Sequence, residues 1–211
     1  MRPAWSIIFL TTLSGLGLGF AMCLGLGLVA PLPAPFGIVP ACLLCMGLIS
    51  GGLISSLFHL GHPERAWRAM SQWRSSWLSR EGVLASLILF LLFVYMCEWW
   101  LTSERSSVLG ILVTIVAVAT VWATAMIYGC LKTVSRWHHP LTPYCYLSLA
   151  IAGGLLLSAF VDQATTGTKT DLIPYVALAL IIATSIKIIW WLRAGASGSG
   201  SPPETATGLG S

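Results

Sequence analysis

His59 and Glu81 are the ionisable side chains of this sequence best placed to do chemistry. They sit within FHLGHPERAWRAMSQWRSSWLSREG (58–82), a polar stretch wedged between two long apolar runs. His59 closes the first run and Glu81 opens the second, with four arginines and three tryptophans between them. Ionisable groups at the edge of a hydrocarbon layer are costly and usually functional. An imidazole and a carboxylate facing each other there can take up and release protons. That pairing points to quinone chemistry. Each residue also has a plainer reading. Glu81 at a helix N-terminus is a favourable partner for the helix dipole, and His59 can be an interfacial histidine satisfied by hydrogen bonding.

The elements that must hold these residues follow from composition. Hydrophobic residues make up 56% of the chain and charged residues only 9%, against roughly 25% charged in a soluble domain. Mean hydropathy is +0.85. Six continuously apolar runs, at 5–30, 36–60, 82–101, 107–131, 143–162 and 172–192, each reach the roughly 20 residues that a bilayer core requires. None alternates with period two, so helices are expected rather than a barrel. The first run is too long for a signal-peptide core and lacks a convincing cleavage site, so it reads as a mature helix. The fold class is therefore all-α, a polytopic bundle of six transmembrane helices over 1–194 with a polar loop at 61–80.

Orientation follows from the basic residues. A cytoplasmic N-terminus puts Arg2, Arg65, Arg68, Arg74, Arg80, Lys132, Arg136, Lys187 and Arg193 on the cytoplasmic side, leaving Arg105 and Lys169 opposite. Nine against two is a strong positive-inside signal. The protein is thus expected in a bacterial inner membrane, multi-pass, with the N-terminus and the 61–80 loop cytoplasmic. The net charge of +4 reflects this asymmetry and gives no reason to propose nucleic acid as a partner.

Within the loop, Gly61 and Pro63 end the second helix, because proline disfavours helical geometry in the residue before it. Arg65, Trp67 and Arg68 recur at helical spacing, as a short interfacial helix would. Trp67, Trp73 and Trp77 suit a headgroup belt. The arginines suit either lipid anchoring or the docking of an acidic soluble partner, and spacing alone does not choose. Cys42 and Cys45 form a CxxC, but on a continuously apolar helix without a second ligand pair. Most of the six cysteines, Cys23, Cys42, Cys45, Cys97, Cys130 and Cys145, fall inside apolar spans, and the Cys42–Cys45 pair reads as buried small apolar residues rather than metal ligands. Gly15 and Gly19, like Gly47 and Gly51, stand four apart, a spacing that lets helix backbones approach closely in lipid. The first two helices are accordingly expected inside the bundle.

Particular residues carry a resemblance. His59-Leu60-Gly61, Pro63, Arg65-Ala66, Ser76, Leu78-Ser79 and Glu81 form a run that resembles the signature of the dimethyl sulfoxide reductase anchor subunits. Trp122, Tyr128, Trp137 and Thr142-Pro143 supply a second matching patch. TAMIY (124–128), Leu131-Lys132, Arg136-Trp137-His138 and TATGLG (205–210) look especially like the anchors of cytoplasmic sulfite dehydrogenases. The resemblance implies a haem-free anchor that holds a molybdopterin catalytic subunit and an iron–sulfur subunit against the lipid bilayer and supplies the quinone or quinol site. His59 and Glu81 match the residues associated with quinol binding. Arg80, Trp77 and Tyr128 complete the expected binding set for ubiquinone or menaquinone. Arg65, Arg68, Arg74 and Arg136 are expected on the docking face. Iron–sulfur clusters and molybdopterin would reside only in the partners, with no metal bound by this protein. In the sulfite subgroup electrons pass from sulfite to quinone; in the sulfoxide subgroup they run the other way. The family usually has eight helices, so six imply a C-terminal truncation, followed by a flexible Gly/Ser/Pro-rich tail at 195–211.

Two rival readings follow from other residues. A haem-containing anchor would draw on His59, His62, His138 and His139, which all lie towards one side. A small transporter would need polar pairs at mid-membrane, whereas Glu98, Asp162, Asp171 and Lys187 fall near helix ends.

Overall fold

The computed structural model of the protein describes residues 5–33, 36–58, 63–134, 136–167 and 171–196. Six long apolar helices form where the apolar runs predict them: α1 (Trp5–Gly25), α2 (Val39–Leu57), α3 (Trp77–Thr102), α4 (Ser107–Gly129), α5 (Thr142–Thr166) and α6 (Ile173–Ala196). All six are long and apolar enough to cross a membrane, and the protein is a multi-pass membrane protein. Among the described residues no strand forms. Leu32 and Gly37 make a single antiparallel bridge that pins the loop between α1 and α2. The interfacial helix expected in the polar loop is a 3₁₀ helix, Pro63–Gln72. His59, His62 and Lys169 lie outside the described residues, as do 197–211 of the expected tail; residues 195 and 196 instead close α6.

α1 is the hub. It packs on α2, α4 and α5, while α3 bridges α2 and α4 and α6 leans on α5. Lipid tails are as apolar as leucine, so helices in a membrane associate through close packing rather than through exclusion from water. Small residues provide that closeness. Gly19 of α1 meets Ala150 and Gly154 of α5 backbone to backbone, and a Cβ on either glycine would collide with the opposing main chain. Gly25 meets Gly110 of α4 in the same way. On the α2 side, Gly17 touches Leu48 and Ile49, and Gly52 touches Leu10 and Ser14.

The paired-glycine reading needs correction in detail. Gly15 and Gly47 have open space where a side chain would stand, and Gly51 barely meets Leu13. Of the spaced glycines only Gly19 makes a close contact; the other close approaches of α1 are at Gly17, against α2, and Gly25, against α4, so α1 meets its neighbours on three different sides. α1 is enclosed as expected, whereas much of α2 lies at the surface.

The third helix begins at Trp77, five residues before the expected 82. Ser76 has extended backbone, and its hydroxyl accepts from the Ser79 amide at 3.4 Å, an N-cap that starts the helix inside the polar stretch. From there Ala85, Ile88, Leu92 and Tyr95 face the core at three- and four-residue spacing. At the opposite end, Arg105 donates to the carbonyl of Val29, and the backbone amide of Ala30 donates to Asp162 Oδ1 at 3.0 Å. Those two bonds tie the α1–α2 loop to the start of α4 and the end of α5.

A substitution pair tests the hub. Gly19→Val should destabilise the bundle by about 1–3 kcal/mol or more through overpacking, lowering the thermal midpoint in mild detergent. Gly15→Ala, which meets nothing, should leave that midpoint within experimental error.

Candidate functional site

The early start of α3 places Arg80 and Glu81 fully within the helix, one after the other. Successive helical residues point about 100° apart, so the two side chains leave in different directions. Glu81 turns inward and is only 6% exposed. Its Oε1 accepts a hydrogen bond from Thr124 Oγ1 of α4 at 2.6 Å. As the fifth residue of α3, it lies beyond the orphan amides of the first turn, and its hydrogen-bond partner comes from another helix. The dipole reading therefore does not describe it. Glu81 is a buried cross-helix carboxyl.

Arg80 turns outward. Its Nε donates to the Trp73 carbonyl at 3.0 Å and its Nη2 to the Arg74 carbonyl at 2.7 Å. The guanidinium also lies 4.3 Å from the centre of the Trp77 ring. Arg80 thus clasps the turn that joins the 3₁₀ helix to α3, and its donors are directed at that turn rather than at Glu81.

Beside this clasp lies an open, almost wholly apolar cavity of about 610 Å³ between α3 and α4. Trp73, Trp77 and Arg80 wall it on one side and Trp122 on the other, with Val83 and Ile115 exposed along it. Trp122 is braced edge-on by Tyr144 at 5.7 Å. The cavity occupies the outer surface of the helix pair, and Glu81 lies on the inner side.

Tyr128 belongs to the inner side. It stacks on Tyr146 of α5 at 5.7 Å and meets Trp137 edge-on at 5.3 Å. Both tyrosines lie within electrostatic reach of Glu81. The expected binding set therefore divides: Trp77 and Arg80 line the cavity, while Glu81 and Tyr128 lie on the inner side, within electrostatic reach of each other. His59 is outside the described residues.

Of the expected docking residues, Arg68 and Arg74 are exposed and lie over Trp67 and Trp73 at 5.4 and 5.6 Å. Arg136 is exposed on the loop between α4 and α5, beside exposed Trp137. The side chain of Arg65 is outside the described ones. Two histidines of the haem reading are engaged locally: His138 Nδ1 is 2.7 Å from the Gly129 carbonyl, and His139 Nδ1 accepts from the Leu141 amide at 3.1 Å. Cys42 and Cys45 are fully buried in the core. Among the described residues no group of three or more His, Cys, Asp or Glu is placed to hold a metal ion.

Thr124 is the residue to which sequence reasoning assigned no role. Its signal was faint but present. Thr120, Thr124 and Tyr128 recur every four residues on one face of an otherwise apolar helix.

Comparisons with known proteins place these features in context. The DMSO reductase anchor subunit (DmsC) family model matches residues 1–197. The sequence is 38% identical over 178 residues to a sulfite dehydrogenase subunit of Allochromatium vinosum, a match that takes in 75% of this protein and 55% of that one. It is 29% identical over 161 residues to a subunit of the anaerobic dimethyl sulfoxide reductase of Escherichia coli, spanning 72% and 55% of the two. A second Escherichia coli protein, the anaerobic dimethyl sulfoxide reductase chain YnfH, is 27% identical over 150 residues, spanning 67% and 51%. The protein thus spans about half the length of the curated relatives it matches. No solved structure matches it.

The clasp is directly testable. Arg80→Leu removes two charge-assisted hydrogen bonds and should release the turn at 73–76 by about 1–3 kcal/mol, read as several-fold faster limited proteolysis there. Arg80→Lys should recover only part of the protection, since a single ammonium lacks the fork that spans both carbonyls.

Proposed function

The chain belongs to the DMSO reductase anchor subunit family, and from that premise we propose that it anchors a molybdenum iron–sulfur oxidoreductase and exchanges electrons with the membrane quinone pool. The observation that carries this reading is a buried carboxyl, Glu81, held by Thr124 behind an apolar cavity walled by Trp73, Trp77 and Trp122. A quinone needs both environments. Its isoprenoid tail must stay in apolar surroundings, and its ring oxygens must gain or lose protons when electrons move.

In this mechanism the ring enters at the loop-side ends of α3 and α4, with the tail along the outer cavity. Glu81 passes a proton between the ring oxygen and the loop side. His59, matched to the family's quinol-binding histidine, serves the other oxygen. Tyr128 and its stacked neighbour Tyr146 keep the inner wall rigid. The electrons come from an iron–sulfur partner docked on Arg68, Arg74 and Arg136, with molybdopterin in the catalytic subunit beyond it. Ubiquinone and menaquinone both fit this scheme, and no haem takes part.

The higher identity to the sulfite dehydrogenase subunit supports electron flow from sulfite towards quinone. The alternative direction, quinol oxidation for a sulfoxide-type reductase, would use the same two groups in reverse. The basic loops support an inner-membrane protein with the 3₁₀ helix on the cytoplasmic side.

Two measurements test the proposal. In the complex purified from native membranes, Glu81→Gln should lower quinone turnover by about 10²–10⁴-fold, the usual contribution of a general acid–base group. Unchanged turnover with the subunits still assembled would sink the assignment. Cys130 is exposed beyond the end of α4, on the loop side. In a Cys97→Ser background, a membrane-impermeant maleimide should label it in inverted vesicles but not in intact spheroplasts. The reverse pattern would overturn the orientation.

A further inference from the structure

We propose that Thr124 is the positioning residue for Glu81, holding its carboxyl in both protonation states through one hydroxyl that exchanges hydrogen-bond partners. The proposal rests on the reading of Glu81 as the proton-handling group and adds the device that lets it work while buried.

The geometry is specific. Thr124 Oγ1 stands 2.6 Å from Glu81 Oε1 and 3.0 Å from the Thr120 carbonyl oxygen. A hydroxyl has one proton and two lone pairs, so it serves these acceptors one at a time. With Glu81 ionised, Thr124 donates to Oε1, at a separation suited to a charge-assisted O–H···O⁻ bond. When Glu81 takes up a proton, the carboxyl becomes the donor to Thr124 Oγ1, and the threonine proton turns to the Thr120 carbonyl. That carbonyl has a second lone pair beyond its helical bond.

Threonine keeps its own proton throughout. The exchange needs no heavy-atom movement, only rotation of one hydroxyl, and Glu81 Oε1 and Thr124 Oγ1 are hydrogen-bonded to each other in both states. Such a site needs little reorganisation when its charge changes.

The surroundings make this partner hard to replace. Glu81 and Thr124 are 6% and 5% exposed. Among the described residues, Tyr128 from α4 and Tyr146 from α5 are titratable groups within electrostatic reach of the carboxyl. Arg80, its neighbour on α3, is directed at the loop carbonyls of Trp73 and Arg74. Removing the Thr124 hydroxyl therefore leaves a buried carboxyl oxygen without its donor.

The test uses the full chain within its native complex, reconstituted in lipid nanodiscs, with infrared difference spectra between acid and alkaline pH. The protonated-carboxyl C=O band of Glu81 is identified by its loss in Glu81→Gln. In Thr124→Val that band should move to higher wavenumber as its hydrogen bond is lost. Turnover of decyl-ubiquinone should fall about ten-fold with its KM changed by less than about two-fold. Thr124→Ser, which keeps the hydroxyl, should restore both. A band unmoved in Thr124→Val, or no Glu81-dependent band at any pH, would overturn the proposal. A band that moves as expected while Glu81→Gln leaves turnover intact would uphold the hydrogen-bond exchange and overturn the quinone reading instead. Loss of turnover in Glu81→Gln, with Thr124→Val changing neither band nor rate, would do the opposite.

Discussion

Everything in this bundle depends on how closely other backbones approach α1. Lipid supplies no hydrophobic push between helices, so packing must come from contact, and contact requires that side chains be absent where main chains meet. Gly19 against Gly154 and Gly25 against Gly110 provide two such meetings, one with each of two neighbouring helices. With α4 and α5 both drawn against α1, the inner face of α4 is held in register. Thr124 lies on that face, and α3 brings Glu81 up to it. The site is therefore downstream of glycines that never touch it.

The second constraint is polar. Inside the membrane span, hydroxyls and carboxyls lack water and must find partners within the protein. α4 carries two of its hydroxyls on one face: Thr120 donates to the Val116 carbonyl at 2.7 Å, and Thr124 reaches both its own helix and Glu81. Below Thr120 come Ala117 and Val113, which pack fully buried in the core with Ile88 and Leu92 of α3. On this face the polar end of the α3–α4 pair gives way to an apolar plug, while Thr114, further along α4, donates to the Gly110 carbonyl at 3.0 Å.

Much of this architecture was legible in the sequence because apolar runs of bilayer length leave few choices. Six runs gave six helices in the right places. The start of α3 was misplaced because Trp77, Ser79 and Arg80 read as loop. The deciding signal, Ser76 as N-cap, is a single residue in a serine-rich stretch. Glycine spacing identified the right helix and, in Gly19, one of its close contacts, but not Gly17 or Gly25, since a four-residue interval does not say which neighbour lies opposite. The Glu81–Thr124 bond joins residues 43 apart, and no local pattern in one sequence encodes such a distance. Family resemblance marked Glu81 as functional without saying what holds it.

Arg80 and Glu81 show how one step along a helix separates two tasks. Helical geometry from Trp77 onward turns them apart. The cation closes the Trp73–Arg74 turn and stacks on Trp77, completing one wall of the cavity. The carboxyl is left with a neutral hydroxyl as its partner, which satisfies it without fixing its charge. A fixed cation in the place of that hydroxyl would have locked Glu81 in one protonation state, whereas threonine accommodates both. The early start of α3 is therefore part of the site's chemistry as well as its scaffold.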